Sequence, residues 1–173
     1  DLPSSWTTNV LNAAKKNEII PLDKIGENSN CLYRPYFKQY GCYSRFWNER
    51  VYQLPKLFPT SKYKNLVICV SGVGVTKDFS CIITDMLPDL ELIGKSQCFP
   101  LYWYEENKNK QQTLSLFDTE SNDDYIRRDG ITDWILKEVR TRFGNARKIT
   151  KETIFYYVYG LLHSPKYREA FAA

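Results

Sequence analysis

The chain has 173 residues, of which 43% are hydrophobic and 25% charged, which is enough apolar material for one domain. Lysine and arginine total 24 against 20 acidic residues, and a net charge of +4 does not by itself indicate a nucleic-acid partner. Five cysteines without a Cys-x-x-Cys pair and one histidine, His163, argue against a disulfide scaffold and a structural zinc site. No apolar run reaches the roughly 18 residues of a membrane span and no leader peptide is visible, so a cytoplasmic chain without membrane contact is expected.

The first half of the chain is expected to be rich in strands. Residues 1–30 are a polar lead-in, with one short helix around Val10 and Leu11 that begins near Thr8 or Asn9. Residues 31–63 are dense in tyrosine, phenylalanine and tryptophan, and breaks at Pro35 and Gly41 favour a strand, a turn and a second strand.

Three further strands are predicted from short apolar runs. Residues 65–70 form a β-branched run typical of a buried strand. Residues 79–84 and 98–104 are the next two, and Pro100 favours an edge or a bend in the second of them. The polar and acidic stretch that follows is expected to be an exposed connection over residues 105–130.

The last part of the chain has the pattern of helices. A first helix is expected from a cap at Thr132 or Asp133 to Gly144, with Ile135, Leu136, Val139 and Phe143 on one face. A second starts at Thr150, with Ile154, Phe155, Val158, Leu161 and Leu162 inward. Ser164 and Pro165 start a short third helix over residues 166–172. The order predicts one α+β domain over residues 1–173, with a strand-rich part at 31–104 and a helical segment at 131–173.

Motifs for catalysis are weak in this sequence. Gly72 and Gly74 follow a strand but lack the spacing of a phosphate-binding loop, which favours a plain turn between strands. Asp89, Glu91 and Lys95 resemble the acidic core of metal-dependent nucleases only loosely, because all three crowd into one loop-like stretch. His163 lies between two predicted helices without a nucleophile motif beside it, which favours a capping or packing role. No catalytic residue, metal ligand or cofactor is therefore expected in this domain.

Positive charge is concentrated in residues 34–64. This segment carries seven basic residues against one acid, Glu49, so it has a net charge of +6 while the rest of the chain sums to −2. Nine aromatic residues are interleaved with these charges. Such a segment fits a DNA surface, where cations neutralise phosphates and polar or aromatic side chains supply contacts to bases. The alternative is a strand pair whose aromatic side chains fill the core while the charges keep an edge soluble.

A second basic cluster lies near the C-terminus. It contains Lys137, Arg140, Arg142, Arg147, Lys148 and Lys151, with Glu138 as its one acid. It is either a second DNA contact or the solvated face of a helix and the loop after it. Arg34 has a similar alternative, because it could form a structural ion pair.

Several ordered blocks of the sequence resemble one protein family. Residues 33–40, Tyr-Arg-Pro-Tyr-Phe-Lys-Gln-Tyr, are similar to the Tyr-Arg-Pro-Phe-x-Lys-Gln signature in the C-terminal specificity region of type ISP restriction–modification enzymes. The resemblance continues through residues 48–56, 97–102, 127–131 and 159–168, so it covers about 31–172. Tyr36 replaces the expected phenylalanine, and Gly41 and Cys42 stand where larger apolar residues are expected.

The resemblance implies a target-recognition domain. Type ISP enzymes join a nuclease, an ATP-driven translocase, an adenine methyltransferase and such a domain in one chain. This chain, which begins at Asp1 rather than at a methionine, would be the last of these parts, separated from its catalytic neighbours. Its expected partners are double-stranded DNA and the methyltransferase and translocase domains of the parent chain.

The leading hypothesis is a non-catalytic domain that recognises a specific sequence in double-stranded DNA. The expected DNA contacts are Arg34, Lys38, Arg45, Arg50, Lys56 and Lys62, and in second place Arg140, Arg142, Arg147 and Lys148. Two alternatives remain open at this point. The domain could dock sibling domains without reading DNA, or it could be a fragment of an enzyme whose partner residues lie elsewhere in the parent chain.

Overall fold

The computed structural model describes residues 7–21, 26–44, 46–76, 78–108, 124–144 and 148–171. The fold is α+β, as predicted. Its helices are α1 (Thr8–Lys15), α2 (Leu54–Leu57), α3 (Asp133–Phe143), α4 (Lys151–Leu162) and α5 (Pro165–Phe171). Its strands are β1 (Glu27–Arg34), β2 (Phe37–Tyr43), β3 (Val67–Val70), β4 (Cys81–Thr84), β5 (Leu87–Pro88), β6 (Gln97–Pro100), β7 (Tyr102–Glu106) and β8 (Tyr125–Asp129).

A three-stranded antiparallel sheet forms the centre of the molecule. Strand β3 lies between β4 and β6, and all four of its residues are buried. Because side chains alternate along a strand, Val67 and Cys69 join one apolar cluster while Ile68 and Val70 join a second one. The predicted buried strand at 65–70 is therefore confirmed, and both of its faces are covered.

The two faces of the central sheet are covered by different parts of the chain. Leu32 of β1, Leu57 of α2 and Leu92 of the loop before β6 pack on the first face. Phe155 of α4 and Leu101, which separates β6 from β7, pack on the second. Both clusters therefore depend on contacts between residues that are far apart in the sequence.

Strands β1 and β2 form a hairpin that we call the β1–β2 ribbon. Its turn lies at Pro35 and Tyr36, as the sequence predicts, but Gly41 lies within β2 rather than breaking it, and β1 begins at Glu27, inside the predicted lead-in. Strand β5 pairs in parallel with β1, so β2 is a free edge in the described sheet. Tyr36, Phe37 and Tyr40 are 90%, 57% and 85% exposed, so these three do not fill the core, whereas Tyr43 packs against the first apolar cluster.

Glu27 ties the base of the ribbon to the segment before β3. Its Oε2 accepts hydrogen bonds from the Ser61 hydroxyl at 2.6 Å and the Ser61 backbone N–H at 3.1 Å. These hydrogen bonds, the hydroxyl first, lower the pKa of Glu27 below 4.5. The carboxylate thus stabilises the fold above the unfolded pKa, and this contribution is lost as the pH falls through the lower folded pKa.

Glu27→Gln is therefore expected to destabilise the protein only above the pH range in which Glu27 becomes protonated. The loss should be below about 1 kcal/mol, as for exposed charge interactions. Thermal unfolding of both proteins from pH 7 to pH 3 should show a difference in Tm that closes as the pH falls below the ordinary glutamate pKa. Glu106→Gln, at an exposed position, is the control and should leave the Tm at pH 7 nearly unchanged. A gap independent of pH would contradict the role of the Glu27 charge.

Asn65 is the buried polar residue at which three elements meet. Its Nδ2 donates to the carbonyl oxygens of Leu57 at 2.9 Å and Tyr102 at 2.6 Å. Its Oδ1 accepts from the backbone N–H of Leu66 at 2.8 Å and of Tyr102 at 3.0 Å. A single side chain therefore joins the end of α2, the approach to β3 and the first residue of β7.

The predicted ends of the C-terminal helices are confirmed. The hydroxyls of Thr132 and Thr150 accept the capping hydrogen bonds at the starts of α3 and α4. Gly144 ends α3 with a φ of +67°, a conformation in which glycine carries no steric penalty. Pro165 is the first residue of α5, where its missing N–H costs nothing.

The predicted inward faces of two helices are partly wrong. Phe143 at the end of α3 is 67% exposed, and Val158 of α4 is 40% exposed. In α4 the neighbouring Ile154 and Phe155 are buried as predicted. Helical periodicity shows which side chains share a face, but it does not show whether this chain supplies a surface opposite that face.

The predicted connection over residues 105–130 is also wrong at both ends. Strand β7 continues to Glu106, and residues Tyr125–Asp129 form β8, which pairs with it in antiparallel fashion. Strand β8 is polar because every residue after Tyr125 is exposed, so no apolar alternation marks it, whereas β7 carries three aromatic residues, of which Tyr104 is buried. Residues 109–123 of the predicted connection lie outside the described residues. The predicted strand at 98–104 is divided into β6 and β7, with Pro100 ending an edge strand as expected.

Candidate nucleic-acid interface

Three predicted contact residues lie along one continuous surface. A first groove, with a volume of about 850 Å³, is lined by Arg50 and Lys56 together with Lys95. The aromatic rings of Tyr52 and Phe99 line the same groove and are 64% and 54% exposed. The groove therefore combines cations with accessible rings, the combination that suits nucleic acid.

A second groove continues directly from the first. Its volume is about 720 Å³, and Lys56 and Trp103 line both grooves. It also holds Lys108 and two acids, Glu105 and Glu106. Glu105 forms an ion pair with Arg128 at 3.0 Å, which offsets one of these negative charges.

A third groove extends the surface to Lys62. It has a volume of about 580 Å³ and shares Tyr104 and Tyr125 with the second groove. Lys62, Lys64 and Arg127 line it. We call these three adjoining grooves the basic groove row. Among its described lining residues, seven are basic, namely Arg50, Lys56, Lys62, Lys64, Lys95, Lys108 and Arg127, and three are acidic, namely Glu91, Glu105 and Glu106.

The tyrosines of the third groove form a fixed wall. The Tyr63 ring meets the rings of Tyr104 and Tyr125 edge-on, each at a centroid distance of 5.2 Å. The Tyr104 hydroxyl donates to the backbone carbonyl of Lys64 at 2.6 Å. Burial raises the pKa of Tyr104, so this hydroxyl remains a hydrogen-bond donor at neutral pH. The wall therefore holds the backbone from which Lys62 and Lys64 project.

Three cations of the basic groove row are available to a ligand. Arg50, Lys56 and Lys62 are exposed, and none of the three forms an ion pair with a carboxylate in the part of the chain that the structure describes. Glu49, next to Arg50, is bound instead by the backbone N–H and hydroxyl of Thr8, at 2.8 and 2.7 Å. These hydrogen bonds lower the pKa of Glu49. Its ionised carboxylate is therefore held by Thr8, the first residue of α1.

Arg34 lines a separate groove that shares Glu91 and Lys95 with the first groove, and its guanidinium is held by structural contacts. Its Nη1 lies 3.1 Å from Asp89 Oδ1 and donates to the Tyr33 carbonyl at 2.7 Å. The guanidinium also stacks over the Tyr33 ring at 4.0 Å. Arg34 therefore links the end of β1 to the residue after β5. Lys38, on the other strand of the β1–β2 ribbon, is exposed.

The C-terminal basic cluster does not reach the basic groove row. Arg140 donates two hydrogen bonds to the Ile149 carbonyl, at 3.0 and 2.8 Å, and so ties α3 to the approach to α4. Lys151 forms ion pairs at 2.6 Å with Asp129 and Asp133, which raise its pKa. Arg142 and Lys148 are exposed and line none of the three grooves. Arg45 and Arg147 lie outside the described residues.

The weak catalytic motifs have structural explanations. Ser71 and Ser80 pair their backbones across the turn that contains Gly72 and Gly74, between antiparallel strands. Asp89 Oδ1 accepts from the Glu91 backbone N–H, and Glu91 in turn accepts from that of Lys95. Among residues with described positions, no three histidine, cysteine, aspartate or glutamate side chains are grouped to hold a metal ion.

His163 is the C-cap of α4 and packs against two neighbouring side chains. Its Nε2 lies 3.3 Å from Cys81 Sγ, and its ring meets that of Tyr159 at a centroid distance of 4.7 Å. The predicted capping and packing role is confirmed. Within the described ranges, every helix is too short or too polar to cross a membrane.

Four cations that line the basic groove row are not among the contact residues expected from the sequence. Lys64 was inside the basic segment but was not selected, and Lys95 was considered only for metal chemistry. Lys108 and Arg127 fell in the predicted connection. Recognising residues 125–129 as a strand would have indicated Arg127, but the polar composition of these residues is not typical of a strand.

Comparisons with known proteins agree on one family. A family model described as the type ISP C-terminal specificity domain matches residues 3–173. The structure is similar to one of a DrdV–DNA complex, with 34% identity over 95% of this chain and 14% of that chain and a TM-score of 0.75. No curated protein sequence matches significantly.

Two further solved structures are similar. One is the ATP-dependent type ISP restriction–modification enzyme LlaBIII bound to DNA, with 30% identity over 96% of this chain and 10% of that chain and a TM-score of 0.71. The other is a nuclease-deletion mutant of the type ISP enzyme LlaGI with a DNA substrate mimic, with 28% identity over 93% of this chain, 12% of that chain and a TM-score of 0.64. The chain thus spans only 10–14% of these three solved chains.

Proposed function

The chain belongs to the type ISP C-terminal specificity domain family, and on that premise we propose that it binds double-stranded DNA and selects the target sequence of a longer restriction–modification enzyme. The observation that carries the proposal is the basic groove row. Three adjoining grooves bring together cations from positions 50 to 127 that are scattered along the sequence. A continuous run of exposed cations can follow a phosphate backbone and release its counterions.

The similar structures support the same partner. All three are described as DNA complexes or as complexes with a DNA substrate mimic. Phosphate contacts from the basic groove row would position the domain on the duplex, while other side chains would read base edges. Methyl transfer, translocation and cleavage would belong to the remaining length of the parent chain, with this domain taking no catalytic part.

Binding of duplex DNA is expected to weaken steeply with salt. Each phosphate contact contributes about 0.9 to the slope of log affinity against log salt concentration, so five contacts would give a slope of roughly −4.5. Fluorescence anisotropy of a labelled duplex, titrated with the chain at several salt concentrations, measures this slope. A slope near zero, or no binding at low salt, would overturn the proposal. The same mixtures with Mg²⁺ should leave the duplex uncut.

A second candidate function is docking to a protein surface by the tip of the β1–β2 ribbon. Tyr36 and Phe37 are exposed there, and the Tyr33 and Phe37 rings meet edge-on at a centroid distance of 6.2 Å. Arg34 is paired with Asp89, so Lys38 is the one cation near the tip without an ion-pair partner among the described residues. Docking of this kind predicts binding that barely responds to salt, and the titration above separates it from DNA binding.

A further inference from the structure

Two asparagines on the outer half of β1 have side chains free for a ligand. Asn28 and Asn30 are exposed, and no hydrogen bond joins either side chain to another residue in the described part of the chain. They are two positions apart on one strand, so both side chains lie on the same face of the β1–β2 ribbon. Asn30 lies directly opposite Tyr40 of β2, which is 85% exposed.

These asparagines line a fourth groove, with a volume of about 640 Å³. Its opposite wall contains Tyr63 and Lys64, which also line the third groove of the basic groove row. A duplex whose phosphates follow the basic groove row would therefore pass directly beside the fourth groove. The hydrogen bonds between Glu27 and Ser61 fix the distance between the two walls.

The composition of the fourth groove suits bases better than phosphates. Its one described lysine, Lys64, is accompanied by the exposed carboxylate Asp85, which would repel a phosphate. Uncharged amides line the ribbon side. Asparagine pairs in a bidentate manner with N6 and N7 of adenine in the major groove, and a carboxylate can accept a hydrogen bond from cytosine N4.

The dimensions of the ribbon agree with reading in the major groove. That groove is about 12 Å wide and admits a two-stranded ribbon. Residues two apart on a strand are separated by about 6.7 Å, and successive base pairs rise by about 3.4 Å, so Asn28 and Asn30 would face bases two steps apart. On this face the ribbon is packed at Leu32 and exposed at Asn28 and Asn30.

We infer that Asn28 and Asn30 determine sequence specificity, each by hydrogen bonding the major-groove edge of an adenine, at two positions two base pairs apart. This inference rests on the proposed function, because it requires that the domain binds duplex DNA. It assigns the reading of bases to the β1–β2 ribbon and the binding of phosphates to the basic groove row.

Selection from a pool of random duplexes tests the inference. The wild-type chain should select a sequence motif. Asn28→Ala and Asn30→Ala should each lose the preference for an A·T pair at one position of it, by about tenfold, with the two positions two base pairs apart. Both positions are exposed, so unchanged thermal unfolding is expected. Affinity for unrelated duplexes should also be unchanged, because no phosphate contact is lost.

Gln39→Ala is the matched control. Gln39 is an exposed amide on β2 that pairs with Cys31, so it lies on the opposite face of the same ribbon. Its replacement should leave the motif intact. The inference is overturned if both asparagine variants select the wild-type motif, or if Gln39→Ala relaxes the same positions. A wild-type chain that binds no duplex contradicts the proposed function itself, so the two failures are distinguishable.

Discussion

Replacing Arg50, Lys56 and Lys62 together with alanine is expected to reduce the salt dependence of DNA binding by roughly three units of slope. All three side chains are exposed on the basic groove row and free of carboxylate partners among the described residues, so each is available for one phosphate contact. Anisotropy titrations between about 50 and 200 mM salt measure the slope, where loss of contacts has its largest effect on affinity.

A variant with the same loss of charge elsewhere provides the control. Lys137, Arg142 and Lys148 are exposed in the C-terminal part and line none of the three grooves. Their joint replacement with alanine removes three positive charges, yet the slope should change by less than about one unit, because only long-range attraction is reduced. Equal changes in both variants would show that affinity follows net charge, and the assignment of phosphates to the basic groove row would then be wrong.

Local chemistry made much of the fold predictable. The strand–turn–strand pattern over residues 31–63, the caps at Thr132 and Thr150 and the glycine that ends α3 all depend on residues within a few positions of one another. The arrangement of exposed elements was not predictable in this way. Strand β8 is polar and exposed, and Phe143 is exposed although Ile135, Leu136 and Val139 of the same stripe are half-buried, so composition alone misassigned both.

The candidate site was also predictable only in part, because composition shows where charges lie along the sequence but not which of them meet on the surface. Charge density in residues 34–64 indicates a cationic surface, and Arg50, Lys56 and Lys62 line the basic groove row. Composition could not separate these residues from Arg34 and Arg140, whose guanidinium groups are held by Asp89 and by the Ile149 carbonyl. Nor could it add Arg127, because the contact of β8 with Tyr63 joins residues more than sixty positions apart.

Asn65→Ala is expected to destabilise the protein by about 3 kcal/mol or more, which corresponds to a fall in Tm of roughly 10 °C for a chain of this size. The change removes all four hydrogen bonds of a side chain that is 4% exposed. The carbonyls of Leu57 and Tyr102 would lose their donor, and buried polar groups without partners carry the full cost of desolvation. Thermal and denaturant unfolding measure the loss.

Asn30→Ala, at an exposed asparagine, is the control and should change stability by less than about 0.5 kcal/mol. Asn65→Asp separates loss of the amide donor from loss of the whole side chain. Its carboxylate would face the carbonyls of Leu57 and Tyr102, and repulsion together with burial would raise its pKa above that of the unfolded state. The variant should therefore recover stability relative to wild type as the pH falls and the group protonates, since a carboxylic acid can donate to one carbonyl. Loss of stability independent of pH in Asn65→Asp, or a loss below about 1 kcal/mol in Asn65→Ala, would show that the amide does not hold α2, β3 and β7 together.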